Sequence, residues 1–332
     1  MATQRDLRAC GQRNWHPCQS DLTHPGPPNF SLGLQHLSLA LGFGRTERGF
    51  STLLPVLETL GLLSKHSLEL SLRLLLLALL LALILPAHAA VASQPTCGII
   101  LMHGKWGMPQ SPYLKPVVEK LSPDCRVVLL EMPWSRKRLY DKPYRDALQQ
   151  IKAAVDSLRQ SGAQWIAVGG QSFGANAALA YMAQVGDVDA IIPLAPGHVP
   201  ETFYQDSDIS RVVDESSRLV QLGKGDTLLE LNDMNQGRRR SLKLTAEALW
   251  SYFNPQGLGN MSLSAQHSKK AVPVFWAIGN LDPLYGSVSE EIYRRLPADP
   301  GSVYLEVRAD HATTPEAATE ALGKWVAARK VR

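Results

Sequence analysis

Methionine, charge and cysteine are all sparse in this chain, and each shortage narrows what it can be. No methionine stands between Met1 and Met102. Charged residues make up 19% of the 332, and a formal net charge of +4 leaves no electrostatic footprint for nucleic acid. Aromatics, at 7%, are spread rather than set along a basic stripe, and the run Arg238-Arg239-Arg240 is the length of a solvated turn. The histidines lack the short spacing to acids or cysteines that a zinc site shows, and the glycines form no phosphate-cradling loop. No metal and no cofactor are therefore expected. What remains, with 45% hydrophobic residues, is the composition of a globular protein.

The longest apolar run is Leu74 to Leu85, LLLLALLLALIL, which carries no charge. Lys65 and Arg73 precede it and Ala87-His88-Ala89 follows, so residues 65–92 read as a secretory signal peptide. A spanning helix needs about 20 apolar residues; extension through Val91 leaves an uncleaved signal anchor as the alternative. The expected location is periplasmic or extracellular, with the membrane met only through this segment. Residues 1–64 mix Trp, His, Cys and Pro without a sustained period. They read as a disordered or mis-assigned extension, with translation starting near Lys65 to Leu72 at a non-AUG codon.

Beyond residue 97 short apolar runs alternate with amphipathic stretches. Strands are expected at Gly98–Met102, Arg126–Glu131, Trp165–Gly169, Val188–Leu194, Val272–Ile278 and Val303–Val307. Helices are expected at Pro112–Leu121, Lys142–Gln160, Phe173–Ala183 and Thr314–Ala328, the last with Thr314 as cap and Pro315 in the first turn. Continuous apolar strands between helices imply an α/β domain over residues 97–330, with a parallel sheet covered on both faces. Residues 198–270 break the rhythm. In them Ser210–Leu222 and Ala246–Phe253 read as helices, and Leu228–Leu231 and Ser241–Leu244 as short strands with a turn at Gln236-Gly237.

Gly170-Gln171-Ser172-Phe173-Gly174 lies between a buried strand and a helix, the setting of a nucleophile elbow. Small residues on either side let the backbone turn sharply, and the helix starting at Phe173 aims free N–H groups and its positive end toward charge developing at Ser172. An acid and a base follow at later strand ends, in the order this chemistry uses: Asp282 in Gly279-Asn-Leu-Asp, then His311. His311 would be the general base and Asp282 its orienting acid. Asp310, beside the histidine, reads as a turn residue and the fallback acid. The oxyanion donors expected are the amides of Phe173 and, from His103-Gly104-Lys105-Trp106-Gly107, of Lys105; His103 itself reads as structural.

His103-Gly104, the Ser172 elbow, the Asp282 turn and His311 together resemble the α/β-hydrolase superfamily over residues 98–330, in particular its dienelactone-hydrolase-like and uncharacterised secreted bacterial members. The resemblance implies a minimal, mostly parallel sheet of about six strands with helices on both faces, and residues 198–270 as a cap. It also implies a serine hydrolase without cofactor, acting on a small-molecule ester. Two departures stand out. The two antiparallel strands that often open the fold have no room before Gly98, and a dienelactone hydrolase proper uses cysteine where this chain has Ser172. In the family's strand order the strands starting at Cys97 and Cys125 are neighbours, which implies a Cys97–Cys125 disulfide. Trp106, Trp134, His198 and Tyr252 are expected near the pocket. The alternatives are a peptidase or amidase of the same fold and a non-catalytic binding protein; the complete Ser, Asp, His order argues against the second.

Overall fold

The computed structural model describes residues 70–77 and 96–330. The chain divides into two units, Met1–Ala87 and His88–Arg332. In the first, residues 70–77 form a helix. The expected extension over 1–64 and the remainder of the signal segment lie outside the described residues. Among the described residues no helix is long and apolar enough to cross a membrane.

The second unit is built on six strands: β1 (Cys97–Met102), β2 (Arg126–Leu130), β3 (Trp165–Ser172), β4 (Ala190–Pro196), and, after the insertion, β7 (Phe275–Gly279) and β8 (Val303–Val307). They lie in the order β2-β1-β3-β4-β7-β8, every neighbouring pair parallel. The runs are continuously apolar because both faces are covered. Ile99, Leu101, Ala167, Ile192 and Ala277 point into one apolar cluster, and Ile100, Met102, Ile166, Val168, Ile191 and Ile278 into the other. The first cluster is closed by α1 (Lys115–Leu121) and the last helix, α9 (Thr314–Ala327). The second is closed by α2 (Tyr144–Gln160), α3 (Phe173–Gln184) and the insertion.

Several element ends shift by a few residues, among them the start of β4 to Ala190 and of α1 to Lys115, and two further shifts have a clear cause. Thr314 is not the cap of α9 but its first helical residue, and its hydroxyl donates to Asp310 O at 2.6 Å. β7 starts at Phe275, later than Val272, because Pro273 has no N–H to give a ladder; only its carbonyl pairs, with Ile191 N at 3.1 Å. At the amino end of the sheet, the register Gly98↔Arg126 sets Cys97 opposite Cys125. The two are joined in a disulfide with a Cα separation of 4.6 Å.

The insertion contains α4 (Pro200–Phe203), α5 (Ser207–Gln221), the strands β5 (Leu228–Asn235) and β6 (Arg238–Thr245), α6 (Ala246–Phe253) and α7 (Met261–Gln266). Asp206 starts α5 by accepting from the amides of Asp208 and Ile209. β5 and β6 form an antiparallel hairpin closed by Gln236 (φ 49°) and Gly237 (φ 74°). Two positive φ values in a two-residue loop match the right-handed twist of the strands. A further helix, α8 (Ser287–Arg294), follows β7 and was not expected.

Candidate active site

β3 runs straight into α3, and Ser172 is the hinge between them, with φ 58° and ψ −116°. A non-glycine residue in that region is strained, and its surroundings must hold it there. The flanking glycines are what permit this. A Cβ on Gly170 or on Gly174 would lie 2.2 Å from the Met102 carbonyl oxygen, so any side chain at either position would push β1 away from the turn. Gly197, just past β4, clears the other side. A Cβ there would sit 2.8 Å from Ser172 Oγ and 3.2 Å from His311 Cε1.

His311 follows β8 and faces the hinge. Its Nε2 lies 2.9 Å from Ser172 Oγ and its Nδ1 2.6 Å from Asp282 Oδ2. Ser172 is 6% exposed and the Asp282 side chain is fully buried. The carboxylate keeps its other oxygen on the amide of Leu284, at 2.8 Å. Gln171 Nε2 holds the main-chain carbonyl of His311 at 3.3 Å. Asp310 turns away, its Oδ1 accepting from the Ala312 and Thr313 amides and the Thr313 hydroxyl. A chain of carboxylate, imidazole and hydroxyl at these spacings can move a proton from the serine to the histidine.

The loop after β1 is laced in place. His103 donates through Nδ1 to Gly104 O (2.8 Å) and accepts through Nε2 from the Met132 amide (3.2 Å), so it is structural, and burial lowers its pKa. Trp134 Nε1 donates to His103 O, and the Trp106 amide to Trp134 O, at 2.9 and 2.8 Å. Gly104 closes against the elbow; a Cβ on it would be 3.0 Å from Ser172 Cβ. The amide of Phe173 opens α3 beside Ser172.

No family model matches the sequence, and no curated protein matches it. Solved structures do. Est1E from Butyrivibrio proteoclasticus, with ferulic acid bound, superposes with a TM-score of 0.53 at 18% identity, covering 71% of this chain and 90% of that one. A Paleococcus ferrophilus monoacylglycerol lipase gives 0.52 at 16% identity, covering 71% and 95%. The fold is that of an α/β-hydrolase.

Within this α/β-hydrolase frame the four expected pocket residues separate. Trp134 and Tyr252 are fully buried beneath the site. Trp134 stacks on Phe173 with ring centroids 4.5 Å apart, and Tyr252 donates its hydroxyl to Lys142 O. His198 stacks on the opposite face of Phe173 at 3.8 Å, and its Nε2 donates to Tyr252 O at 2.8 Å. Burial drives its pKa well down, and the Lys105 charge adds to this. Trp106 is half-buried, with Nε1 donating to Asp233 Oδ2 at 3.1 Å.

Asp233, on β5, was missed by sequence reasoning. It is fully buried, and its carboxylate collects Lys105 Nζ (2.8 Å), Trp106 Nε1 (3.1 Å) and the Tyr140 hydroxyl (3.1 Å). Lys105 Nζ also donates to Met234 O at 3.0 Å and lies 4.5 Å from the Phe203 ring centroid. Burial lowers the lysine's pKa, and Asp233 works against that. The one available signal was alternation: Asp233 is in step with Leu229 and Leu231, on the inward face of its strand. Asn176 was also missed. It ties α3 to the insertion by donating to His198 O and Gly259 O, at 2.8 and 2.7 Å. Among the described residues no group of His, Cys, Asp and Glu could hold a metal ion.

Proposed function

We propose that the protein is a serine hydrolase cleaving carboxylic esters through an acyl-enzyme. The observation that carries this is the relay Asp282–His311–Ser172, at 2.6 and 2.9 Å, on a strained elbow. His311 Nε2 takes the hydroxyl proton as Ser172 Oγ attacks the ester carbonyl carbon. The tetrahedral oxyanion is received by the amides of Phe173 and Lys105. The intermediate collapses with loss of the alcohol, which leaves with the proton from His311. Water, deprotonated by the same histidine, then releases the carboxylic acid and restores Ser172. Asp282 accepts from His311 Nδ1 and fixes its tautomer.

The Trp106 and Gly107 amides are already taken by Trp134 O and Gly104 O, which supports Lys105 as the loop donor. On this reading Trp106, half-buried in the loop after β1, and His198, stacked on Phe173, flank a bound acyl or alcohol group. The ester preference draws on the two named neighbours, Est1E with its bound ferulic acid and a monoacylglycerol lipase. The Cys97–Cys125 disulfide supports export to an oxidising compartment, in keeping with a secreted bacterial subfamily. A fluorophosphonate probe and short-chain p-nitrophenyl esters test the reading. Wild type should be labelled and turn over, and Ser172→Ala should do neither; an unlabelled wild type, or equal labelling of both, would refute it.

A further inference from the structure

The insertion hairpin reaches the loop after β1 at Trp106, whose Nε1 donates to Asp233 Oδ2, and at Lys105, which it grips at three points. Asp233 Oδ1 and Met234 O take its ammonium, at 2.8 and 3.0 Å. Asn235 Nδ2 donates to its main-chain carbonyl at 3.2 Å. The peptide unit carrying that carbonyl is held on its other side as well, because the Trp106 amide donates to Trp134 O at 2.8 Å. With both ends of the Lys105–Trp106 peptide held and the side chain tethered, the Cα of Lys105 is anchored on two sides. Among the described residues its own amide N–H has no acceptor. That amide follows Gly104, which packs against Ser172.

A buried ion pair gains little stability over apolar groups of the same volume, so its presence here calls for a reason other than stability. Both side chains are sealed, 2% and 1% exposed, and the carboxylate is satisfied by two further donors from separate loops, Trp106 and Tyr140. Such a network fixes geometry, since none of its members can move without stranding the others.

We infer that the β5–β6 hairpin is part of the oxyanion machinery: Asp233 and Asn235 are positioning residues that hold the Lys105 amide toward Ser172. This rests on the serine-hydrolase reading and assigns the insertion a catalytic duty distinct from the cap role that the family resemblance implies. Neither residue touches substrate. Both act on charge development alone, so their loss should show in turnover and in affinity for tetrahedral adducts, not in ground-state binding.

The test uses the full chain, p-nitrophenyl butyrate as substrate and phenylboronic acid as tetrahedral mimic. Asn235→Ala removes one hydrogen bond at the rim of the network. It should lower kcat about tenfold, below the 10²–10³ that loss of an oxyanion donor costs. KM should stay within about twofold, and the boronic acid should weaken by the same factor as kcat. Asp233→Asn is expected to lose more turnover but also thermal stability, so a second variant separates the two effects. Lys105→Met with Asp233→Leu keeps the backbone amide and leaves no unpaired buried charge, although it strands the Trp106 and Tyr140 donors; its Tm should exceed that of Asp233→Asn while kcat stays low. Wild-type kcat and boronate affinity in folded Asn235→Ala and in the double variant would overturn the inference and leave the relay intact. A wild type that no fluorophosphonate labels would overturn the serine-hydrolase reading, and this inference with it.

Discussion

Reduction with TCEP, or the paired substitutions Cys97→Ala and Cys125→Ala, would cut the one covalent tie between β1 and β2. The bond spans a sequence separation of 28 residues. Cross-linking a loop of that length removes roughly 12 cal/mol/K from the unfolded chain, or about 3.6 kcal/mol at 25 °C. Little of this is offset in the folded state. Both sulfurs lie in the apolar cluster under α1, 1% and 2% exposed, where free thiols pack as small apolar groups. For a domain of this size the loss should lower Tm by about 7–14 °C. Turnover should not change, because the disulfide lies at the amino end of the strands and the relay at the carboxyl end, about 17 Å of strand away. Melting curves with and without reductant, initial rates on a p-nitrophenyl ester at 25 °C and thiol titration decide it. A Tm shift below about 2 °C with both thiols released would refute the entropic argument. Lost activity well below the melting range would refute the separation of bond and site.

Asp282→Asn should lower kcat by roughly 10³–10⁴ by letting His311 adopt the wrong tautomer, while Asp310→Asn, whose carboxylate faces its own turn, should stay within about twofold. Gly174→Ala would drive a Cβ to 2.2 Å from Met102 O, backbone that cannot yield, and should cost about 3 kcal/mol or more in denaturant titration. Buried His103 and His198 both have pKa values below 6.5, so as pH falls through about 6.5 the unfolded chain takes up protons that the folded chain refuses. Each histidine should then cost up to about 1.4 kcal/mol per pH unit. Melts between pH 7 and 5 should show this slope, flattened but not abolished in His198→Asn, a residue that tolerates the φ of 68° at that position; an unchanged slope would exclude His198 as a source.

The elbow was legible because its requirements are local: two glycines, a strand before, a helix after. The same holds for the Gln236-Gly237 turn, whose φ values only a few residue types adopt. Asp282 and His311 could be picked from their neighbours because each follows a strand, and the carboxyl ends of a parallel sheet meet at one edge. The Lys105–Asp233 pair was not legible, since 128 residues separate its members and a lysine in a short loop between Gly104 and Gly107 reads as solvated. Nor was the burial of Trp134 and Tyr252. An aromatic side chain of either kind satisfies the same pattern whether it lines a pocket or supports the Phe173 ring from behind. α8 escaped because its eight residues are mostly polar and end soon after Ile292, leaving a short apolar stripe.

Ser172 lies in the middle of the sheet, but the histidine that faces it follows β8, the edge strand, 139 residues later. At synthesis rates of about 5–20 residues per second, roughly 7–28 s pass between the two being joined to the chain. Through that interval the elbow can be complete while nothing stands ready to take its proton. If the proposed serine-hydrolase reading holds, the growing polypeptide is chemically silent until β8 has docked and brought His311 to the elbow.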